Sequence, residues 1–313
     1  MSATQTHTLS CVPPLDWAAV QAHYATRTMP GVDFIDAHRY CRTLTVGEVS
    51  GWLSVAPAAR DAASGGVTAL AVTLYGDLAG LDTAAVQPLM QALRYQFDLS
   101  VDDKAVHSVL SRDNDLTWRL AQWPSPRLFG GVDPFEQVVR AVLGQRISVK
   151  AAHTLFGRVV ERLSDHVKID GAPAECVHFF PLPQRFVDGS LDGLGITGAR
   201  KRTLQEIAAA TLAAPDLFDR TQTLEDFVRR VLPIYGIGPW SAHYIAMRAL
   251  GHSDAFPASD LGILKAMTRN NEARPTPDAA IARAEAWRPY RAYASVLLWR
   301  FGNLATREAV GGG

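Results

Sequence analysis

The most informative part of the sequence is the stretch Leu232–Asp260, LPIYGIGPWSAHYIAMRALGHSDAFPASD. It opens with a tight turn at residues 235–238 (YGIG), where two glycines can adopt positive φ and let another backbone come close. Pro239 suits the first turn of a helix, because its missing N–H is one that the helix would leave unpaired. We therefore expect a hairpin followed by a helix that runs from Pro239 to about Leu250.

The charges of this stretch indicate how it can bind an anion. Arg248 is the only formally charged side chain between Leu232 and Leu250, so side-chain cations are not the main means. Backbone N–H groups at a hairpin and at a helix N-terminus are a known way to hold a phosphate. Ten residues beyond the helix, Asp260 heads a second apolar run, 261–265 (LGILK), where an Asp is most often a helix N-cap.

Length and composition are those of an ordinary globular protein that can form two or three cores. The chain has 313 residues, of which 48% are hydrophobic and 20% charged, and 31 basic residues balance 31 acidic ones. Any nucleic-acid binding must therefore be local and geometric. Three widely spaced cysteines argue against a disulfide framework or a zinc site and exclude a four-cysteine iron–sulfur cluster. We found no signal peptide or long apolar run, and we expect a cytoplasmic protein without a membrane partner.

Three segments are predicted along the chain. We expect residues 1–11, which are polar, to lack fixed structure. Residues 12–112 combine a short helix after Asp16, at least three strands of alternating period, and a helix capped by Asp82, which predicts a small antiparallel-sheet α+β domain. A polar, proline-rich join follows, and residues 113–313 have helical periodicity. The hairpin motif occupies about 224–250 of this helical body.

Several motifs together resemble those of the helix-hairpin-helix glycosylase superfamily, and within it the 3-methyladenine DNA glycosylase II family. The resemblance covers nearly the whole chain, and the combination is specific although a lone Gly-Ile-Gly would be weak. It implies an α+β N-terminal domain joined to an all-helical, two-lobed glycosylase body, with the hairpin and Asp260 between the lobes. The matching stretches are 16–17 (DW), 42–48 (RTLTVGE), 135–141 (FEQVVRA), 144–145 (GQ), 235–238 (YGIG) and 290–294 (YRAYA).

The resemblance implies that Asp260 is the catalytic carboxylate. Capping and catalysis are compatible, since a helix N-terminus favours an ionised carboxylate. As a base leaves the sugar, the sugar acquires oxocarbenium character, which a nearby negative charge stabilises while water attacks. Without the hairpin context, Asp260 would be interpreted as an N-cap alone.

The residue two places after the hairpin indicates the type of glycosylase. Relatives that also cleave the backbone have a Schiff-base lysine there, whereas this chain has Trp240. We therefore predict a monofunctional enzyme. Trp240, Tyr244 and Trp299, with Gln145, are predicted to form the base pocket, whose aromatic faces would stack on positively charged alkylated bases. Taken singly, each aromatic residue is more typical of plain core than of a pocket.

The DNA contacts are predicted on two loops. The hairpin should contact phosphate through Gly236, Ile237, Gly238 and Ser241. Arg146 occupies the position where the family inserts a wedge into the stack, and some members have Leu there. The basic run 200–202 (RKR) fits either a phosphate contact or a solvated helix face.

These patterns predict a monomeric enzyme that excises alkylated purines from double-stranded DNA, with no cofactor and no certain metal. A monovalent cation at the hairpin carbonyls is implied by the resemblance alone. Two alternatives stay open. One is a non-catalytic helix-hairpin-helix protein that only docks DNA. The other is a glycosylase for deaminated or mismatched bases, which would require more polar groups in the pocket than the sequence reveals.

Overall fold

The computed structural model describes residues 3–145, 147–167, 169–268 and 273–302, and it has the predicted α+β architecture. The N-terminal region contains an antiparallel sheet of five strands in the order β1-β5-β4-β3-β2. Helices and the loops that connect them make up the rest of the described chain. The strands are β1 (Thr4–Leu15), β2 (Asp33–Ile35), β3 (Tyr40–Val46), β4 (Val49–Arg60) and β5 (Val67–Gly76).

The prediction that residues 1–11 lack fixed structure is wrong from Thr4 onward. Thr4 to Ser10 pair with β5 in antiparallel register, and Leu9 and Cys11 are buried. The segment is polar because β1 lies at the edge of the sheet and turns its threonines outward on alternate positions. Threonine is β-branched and favours strands. Its alternation along residues 4–8 therefore supports a strand although the segment has low hydrophobicity.

The helices of the N-terminal region begin at aspartate caps. The two predicted helices are confirmed: α1 (Trp17–Tyr24) is capped by Asp16 and α2 (Thr83–Phe97) by Asp82. Two more were not predicted: the second falls in the stretch that was interpreted as a polar, proline-rich join, and the first was not assigned to any element. They are α3 (Asp103–Leu110) and α4 (Asn114–Gln122), capped by Asp102 and Asp113.

The domain boundary between residues 112 and 113 stays a prediction. The Asp113 carboxylate accepts hydrogen bonds from Arg283 (3.0 Å) and from the Trp287 indole (3.0 Å) of the helical body. One continuous cluster of buried apolar side chains also runs from the sheet into the helices. The two parts therefore share their core.

The helical body carries the predicted hairpin between two helices. Further along the chain, α11 begins directly after Asp260, and α13 supplies Trp299. The segment 183–188 forms a short helix. The helices are α5 (Pro134–Gly144), α6 (Val149–Leu163), α7 (Pro183–Asp188), α8 (Gly198–Ala213), α9 (Leu224–Val231), α10 (Pro239–Ile245), α11 (Leu261–Ala266), α12 (Pro277–Ala284) and α13 (Arg291–Phe301).

The predicted helix from Pro239 to Leu250 is present, but it changes from α-helical to π-helical hydrogen bonding. After α10, residues Ala246–Leu250 form a single π-helical turn that ends at Gly251, whose φ is 76°. Such turns are rare and occur often at functional sites, because they redirect the side chains that follow. This one carries Arg248.

A buried ionic network joins the sheet to α5. Arg42 Nη2 of β3 donates to Glu136 Oε2 (2.8 Å), and Arg140 Nη2 donates to Glu136 Oε1 (2.7 Å). Arg140 also pairs with Asp33 (3.5 Å), whose other oxygen accepts from the Tyr40 hydroxyl (2.7 Å). Burial alone would raise the pKa of Glu136, but the two guanidiniums hold that pKa at about 2. Glu136 is thus the ionised carboxylate at the centre of the contact between the sheet and α5.

Candidate active site

Asp260 is the N-cap of α11, as its place in the sequence predicts. Its Oδ1 accepts the backbone N–H of Ile263 (3.0 Å), and its own N–H donates to the Pro257 carbonyl (2.8 Å). The side chain is half-buried. Capping therefore fixes the backbone of the residue and leaves part of the carboxylate to other partners.

Two tryptophan indoles hold the Asp260 carboxylate, one on each oxygen. Trp240 Nε1 of α10 donates to Oδ2 (3.0 Å), and Trp299 Nε1 of α13 donates to Oδ1 (2.8 Å). With the Ile263 amide, the carboxylate has three donors, so its position is over-determined. Gly262 leaves room for this arrangement, because a Cβ there would lie 3.0 Å from Asp260 Oδ1 and 3.1 Å from the Trp299 ring.

The loop between the π-helical turn and Asp260 is itself anchored. His243 Nδ1 accepts the backbone N–H of Phe256 (3.2 Å), which requires a ring that is neutral at that nitrogen. Burial, and then the nearby Arg291, lower the pKa of His243 below its ordinary value. Arg291 binds the Asp254 carboxylate through two nitrogens (2.8 and 3.0 Å). These contacts fix the conformation of the loop that ends at Asp260.

The three predicted aromatic residues do cluster around Asp260. The rings of Trp240 and Tyr244 stack at 5.1 Å, and Tyr244 meets Trp299 edge-on at 6.0 Å. Tyr244 and Trp299 line a pocket of about 420 Å³ next to Asp260, whereas Trp240 is not among its lining residues. Trp240 instead stacks on Tyr244 and donates a hydrogen bond to Asp260.

The N-terminal region forms one wall of this pocket, which the sequence did not predict. Helix α1 contributes Ala19, Ala22 and His23, and Arg27 follows directly after that helix. No local pattern marks these residues, because they reach the site only through packing across the domain interface. The remaining lining residues are Trp123, Arg127, Phe129, Arg248, Val296 and Arg300.

Gln145 lies at the hairpin rather than among the lining residues of the pocket. Its Nε2 donates to the Ser241 hydroxyl (2.9 Å) and to the Gly236 carbonyl (3.3 Å). Ser241 and Ile237, predicted to contact DNA, are buried with exposed fractions of 5% and 4%. In this conformation they can offer DNA their backbone but not their side chains.

Only one hairpin glycine has the predicted positive φ. Gly236 has φ of 78°, and a Cβ there would collide with Oγ1 of Thr203 on α8. Gly238 has φ of −93° and is extended, because it is the residue that precedes α10. A Cβ at Gly238 would meet no protein atom within 4 Å.

The two glycines form a matched pair of tests. We expect Gly236→Ala to destabilise the fold by roughly 1–3 kcal/mol, since it combines strain with a clash against α8. Gly238→Ala should leave stability within about 0.5 kcal/mol, as is usual for exposed positions. If DNA phosphate approaches the hairpin backbone, Gly238→Ala should still weaken binding to damaged and undamaged duplexes alike. Denaturant melts and fluorescence anisotropy measure the two effects. Unchanged affinity in a folded Gly238→Ala protein would contradict the phosphate contact.

The basic run 200–202 is engaged within the protein. Lys201 pairs with Asp192 (2.5 Å), Arg202 pairs with Glu206 (2.7 Å), and Arg200 donates to the Gln145 carbonyl. This favours the interpretation as a helix face over that of a dedicated phosphate site. Arg146, the predicted wedge, lies outside the described residues.

A cation site stays a prediction. The Ile234 carbonyl accepts the Ile237 N–H (3.1 Å), and the Gly236 carbonyl accepts from Gln145, so both oxygens already have a partner and would offer a cation their remaining lone pairs. Within the described ranges, His, Cys, Asp and Glu form no group of three or more that could hold a metal ion. The helices of those ranges include none long and apolar enough to cross a bilayer.

Comparison with known proteins finds relatives of this chain. Residues 6–133 match the family model described as the AlkA N-terminal domain. A Mycobacterium tuberculosis protein, a probable bifunctional transcriptional activator/DNA repair enzyme AlkA, is 32% identical over 287 residues, which is 91% of this chain and 55% of that protein. The chain thus spans about half the length of that relative.

Two further comparisons cover both proteins almost completely. The 3-methyladenine DNA-glycosylase structure from Archaeoglobus fulgidus superposes with a TM-score of 0.78 at 17% identity, over 94% of this chain and 97% of that one, which shows a shared fold. Escherichia coli DNA-3-methyladenine glycosylase 2 is 31% identical over 298 residues, 94% of this chain and 96% of its own length. The chain belongs to the DNA-3-methyladenine glycosylase II family of helix-hairpin-helix DNA glycosylases.

Proposed function

We propose that the protein is a monofunctional DNA glycosylase that hydrolyses the N-glycosidic bond of alkylated purines in duplex DNA, such as 3-methyladenine and 7-methylguanine. The observation that carries this proposal is the Asp260 carboxylate, held by two indoles beside an aromatic-lined pocket. At about 420 Å³, the pocket falls in the range of small-molecule sites and has room for a purine. The product is an abasic site.

In this proposal the negative charge of Asp260 stabilises the transition state. As the bond to the base lengthens, positive charge builds up on the sugar, and a fixed carboxylate stabilises it without having to reorganise. The bonds from Trp240 and Trp299 hold both oxygens in place. Water is then the attacking species, and no cofactor takes part.

The base must leave the duplex before this can happen. The target sugar carbon is not reachable inside the stack, so the nucleotide rotates out and the base enters the pocket. Tyr244 and Trp299 offer ring surface on which a purine can stack. Backbone groups of the hairpin are proposed to hold the DNA phosphates, and Arg146 is proposed to fill the gap in the stack.

The partner is therefore duplex DNA that contains a damaged base. We further propose that the protein acts as a monomer in the cytoplasm, at the nucleoid.

The enzyme is expected to lack lyase activity. Trp240 cannot form a Schiff base, and the described residues that line the pocket include no lysine. With a duplex that contains one 7-methylguanine, we expect strand cleavage only after alkali treatment of the abasic product. Borohydride should trap no adduct on abasic DNA, whereas a bifunctional glycosylase used as a positive control should be trapped. An efficient lysine-dependent adduct would contradict the monofunctional mechanism. The absence of any alkali-labile site would contradict the glycosylase itself.

A further inference from the structure

Two exposed arginines mark the open side of the pocket next to Asp260. Of the described residues that line this pocket, Ala22, Arg27 and Arg300 are exposed. The other lining residues, including Asp260 and Trp299, are buried or half-buried. Arg27 and Arg300 therefore lie at the mouth of the pocket, and we call them the rim arginines.

Arg300 of α13 is held by aromatic rings and not by an acid. Its guanidinium lies 4.5 Å from the Trp123 ring centroid and 5.9 Å from that of Phe301. Stacking uses the face of a guanidinium and leaves the N–H groups at its edge able to donate. Among the residues that the structure describes, no carboxylate forms an ion pair with Arg300. Its charge is therefore available to an anion at the pocket mouth.

Arg27 combines an anchored backbone with an available charge. Its carbonyl oxygen accepts a hydrogen bond from Arg140, which belongs to the buried ionic network. Its Nη1 donates to the His23 carbonyl (3.2 Å) and to the Thr26 hydroxyl (3.3 Å), which are both neutral groups of the same segment. Within the described ranges no carboxylate pairs with Arg27 either. The network thus fixes where this guanidinium stands without neutralising it.

An extruded nucleotide brings negative charge to the pocket mouth. When the base is inside the pocket and the sugar lies beside Asp260, the phosphates on both sides of that sugar remain outside, along the rim. Asp260 carries a negative charge and repels them. The chain as a whole has 31 basic and 31 acidic residues, so cations close to the site must offset this repulsion.

We propose that the rim arginines are positioning residues that bind the phosphates on the two sides of the extruded nucleotide. This inference rests on the proposed glycosylase function. A guanidinium presents paired N–H donors that match two oxygens of one phosphate. Bound in this way, the phosphates hold the sugar against Asp260 and oppose return of the nucleotide to the stack. Because Arg27 follows α1, the sheet domain is then part of the DNA interface.

The rim arginines and the hairpin differ in the state of the DNA that they recognise. The hairpin backbone is proposed to contact phosphates of any duplex. The rim arginines reach their phosphates only when the nucleotide is extruded. Loss of a rim arginine should therefore weaken binding to a duplex with an extruded nucleotide more than binding to an intact duplex.

The test is a double-mutant cycle between the protein and the DNA. The duplex contains one tetrahydrofuran analogue of an abasic nucleotide, which the enzyme cannot cleave and which is readily extruded. The phosphate on its 5′ or its 3′ side is replaced by an uncharged methylphosphonate. Fluorescence anisotropy gives the affinity of the wild type, Arg27→Met and Arg300→Met for each duplex.

We expect each variant to bind the fully charged analogue duplex about three- to tenfold more weakly than the wild type, as for an exposed charge-assisted contact. The slope of log affinity against log salt concentration should become shallower by about 1 in each variant. One of the two methylphosphonates should weaken the wild type by a similar factor. The same methylphosphonate should weaken the matching variant by less than about twofold, because the contact is already lost.

Matched variants make the result specific. Arg27→Lys and Arg300→Lys keep the charge and should recover part of the affinity. Arg27→Gln and Arg300→Gln replace the Met variants if thermal melts show that those do not fold. Arg60→Met is the control, since Arg60 is an exposed arginine of the sheet domain that donates to the Gly65 carbonyl (3.0 Å) and lies outside this pocket. It should leave every affinity unchanged.

Each outcome decides the proposal. Losses that simply add, with coupling of less than about twofold between either arginine and both phosphates, would overturn it. Equal weakening on the intact duplex and on the analogue duplex would overturn it as well. Failure of the proposed glycosylase function is seen separately, because the wild-type protein would then release no base from methylated DNA, whatever the binding cycle shows.

Discussion

Asp260→Asn is expected to lower the rate of base excision by several orders of magnitude while the protein still folds and binds DNA. The amide keeps a side-chain oxygen for the Ile263 N–H, so the cap of α11 can survive. It loses the charge that would stabilise the sugar as the base departs. Loss of a preorganised electrostatic partner typically costs about 10²–10³ in rate for a single neutral donor, and a full charge should cost more.

The measurement is a single-turnover excision assay on a duplex that contains one lesion, together with anisotropy and a thermal melt of the same preparation. Ser259→Ala provides a matched control, since it removes a side-chain oxygen from the exposed residue next to Asp260 and leaves the carboxylate intact. We expect near-normal excision by that control. Near-normal excision by Asp260→Asn would show that the carboxylate is not catalytic.

Glu136→Gln is expected to destabilise the protein by about 3–5 kcal/mol, because removing one partner of a buried ion pair leaves the other uncompensated. Arg42 and Glu136 have side chains that are 3% and 1% exposed, and Arg140 is 11% exposed, so water cannot replace the lost charge. Chemical denaturation of the two proteins measures the difference. Glu161→Gln, on the exposed side of α6, is the control and should change stability little.

Because of the same network, we expect the free energy of unfolding to depend on pH in the acid range. Burial opposes ionisation of Glu136, but Arg42 and Arg140 lower its pKa in the folded protein to about 2, below the ordinary value of 4.5. Its contribution is therefore complete above about pH 4.5 and is lost as the pH falls towards 2. The free energy of unfolding of Glu136→Gln should fall less steeply than that of the wild type across this window. Parallel curves would contradict the role given to Glu136.

Local chemistry explains why the sequence predicted the centre of the site. Pro239 at the start of α10 and Asp260 at the start of α11 follow from the rules for helix N-termini, which depend on a few neighbouring residues. The helical spacing of Trp240 and Tyr244 placed both on one face. What local chemistry did not predict is that Trp240 and Trp299 use their N–H groups on Asp260.

The features that the sequence did not predict depend on contacts between residues far apart in the chain. The strand β1 is defined by its pairing with β5, some 60 residues away, rather than by its own hydrophobicity. His23 enters the pocket because the sheet domain docks on the helical body through the Arg42–Glu136 network. Arg248 was noted in the sequence only as a lone charge. It points into the site because α10 changes to a π-helical turn, which no short pattern announces.

We propose that Asp260 and its two indole partners form the catalytic centre of a hydrolytic glycosylase. The most direct test is chromatography and mass spectrometry of the free bases released from methylated duplex DNA by the wild-type protein and by Asp260→Asn. We expect free methylated purines from the wild type, DNA strands that stay intact until alkali is added, and release at the uncatalysed rate from Asp260→Asn. Equal release by the two proteins, or none above the uncatalysed rate by the wild type, would contradict it.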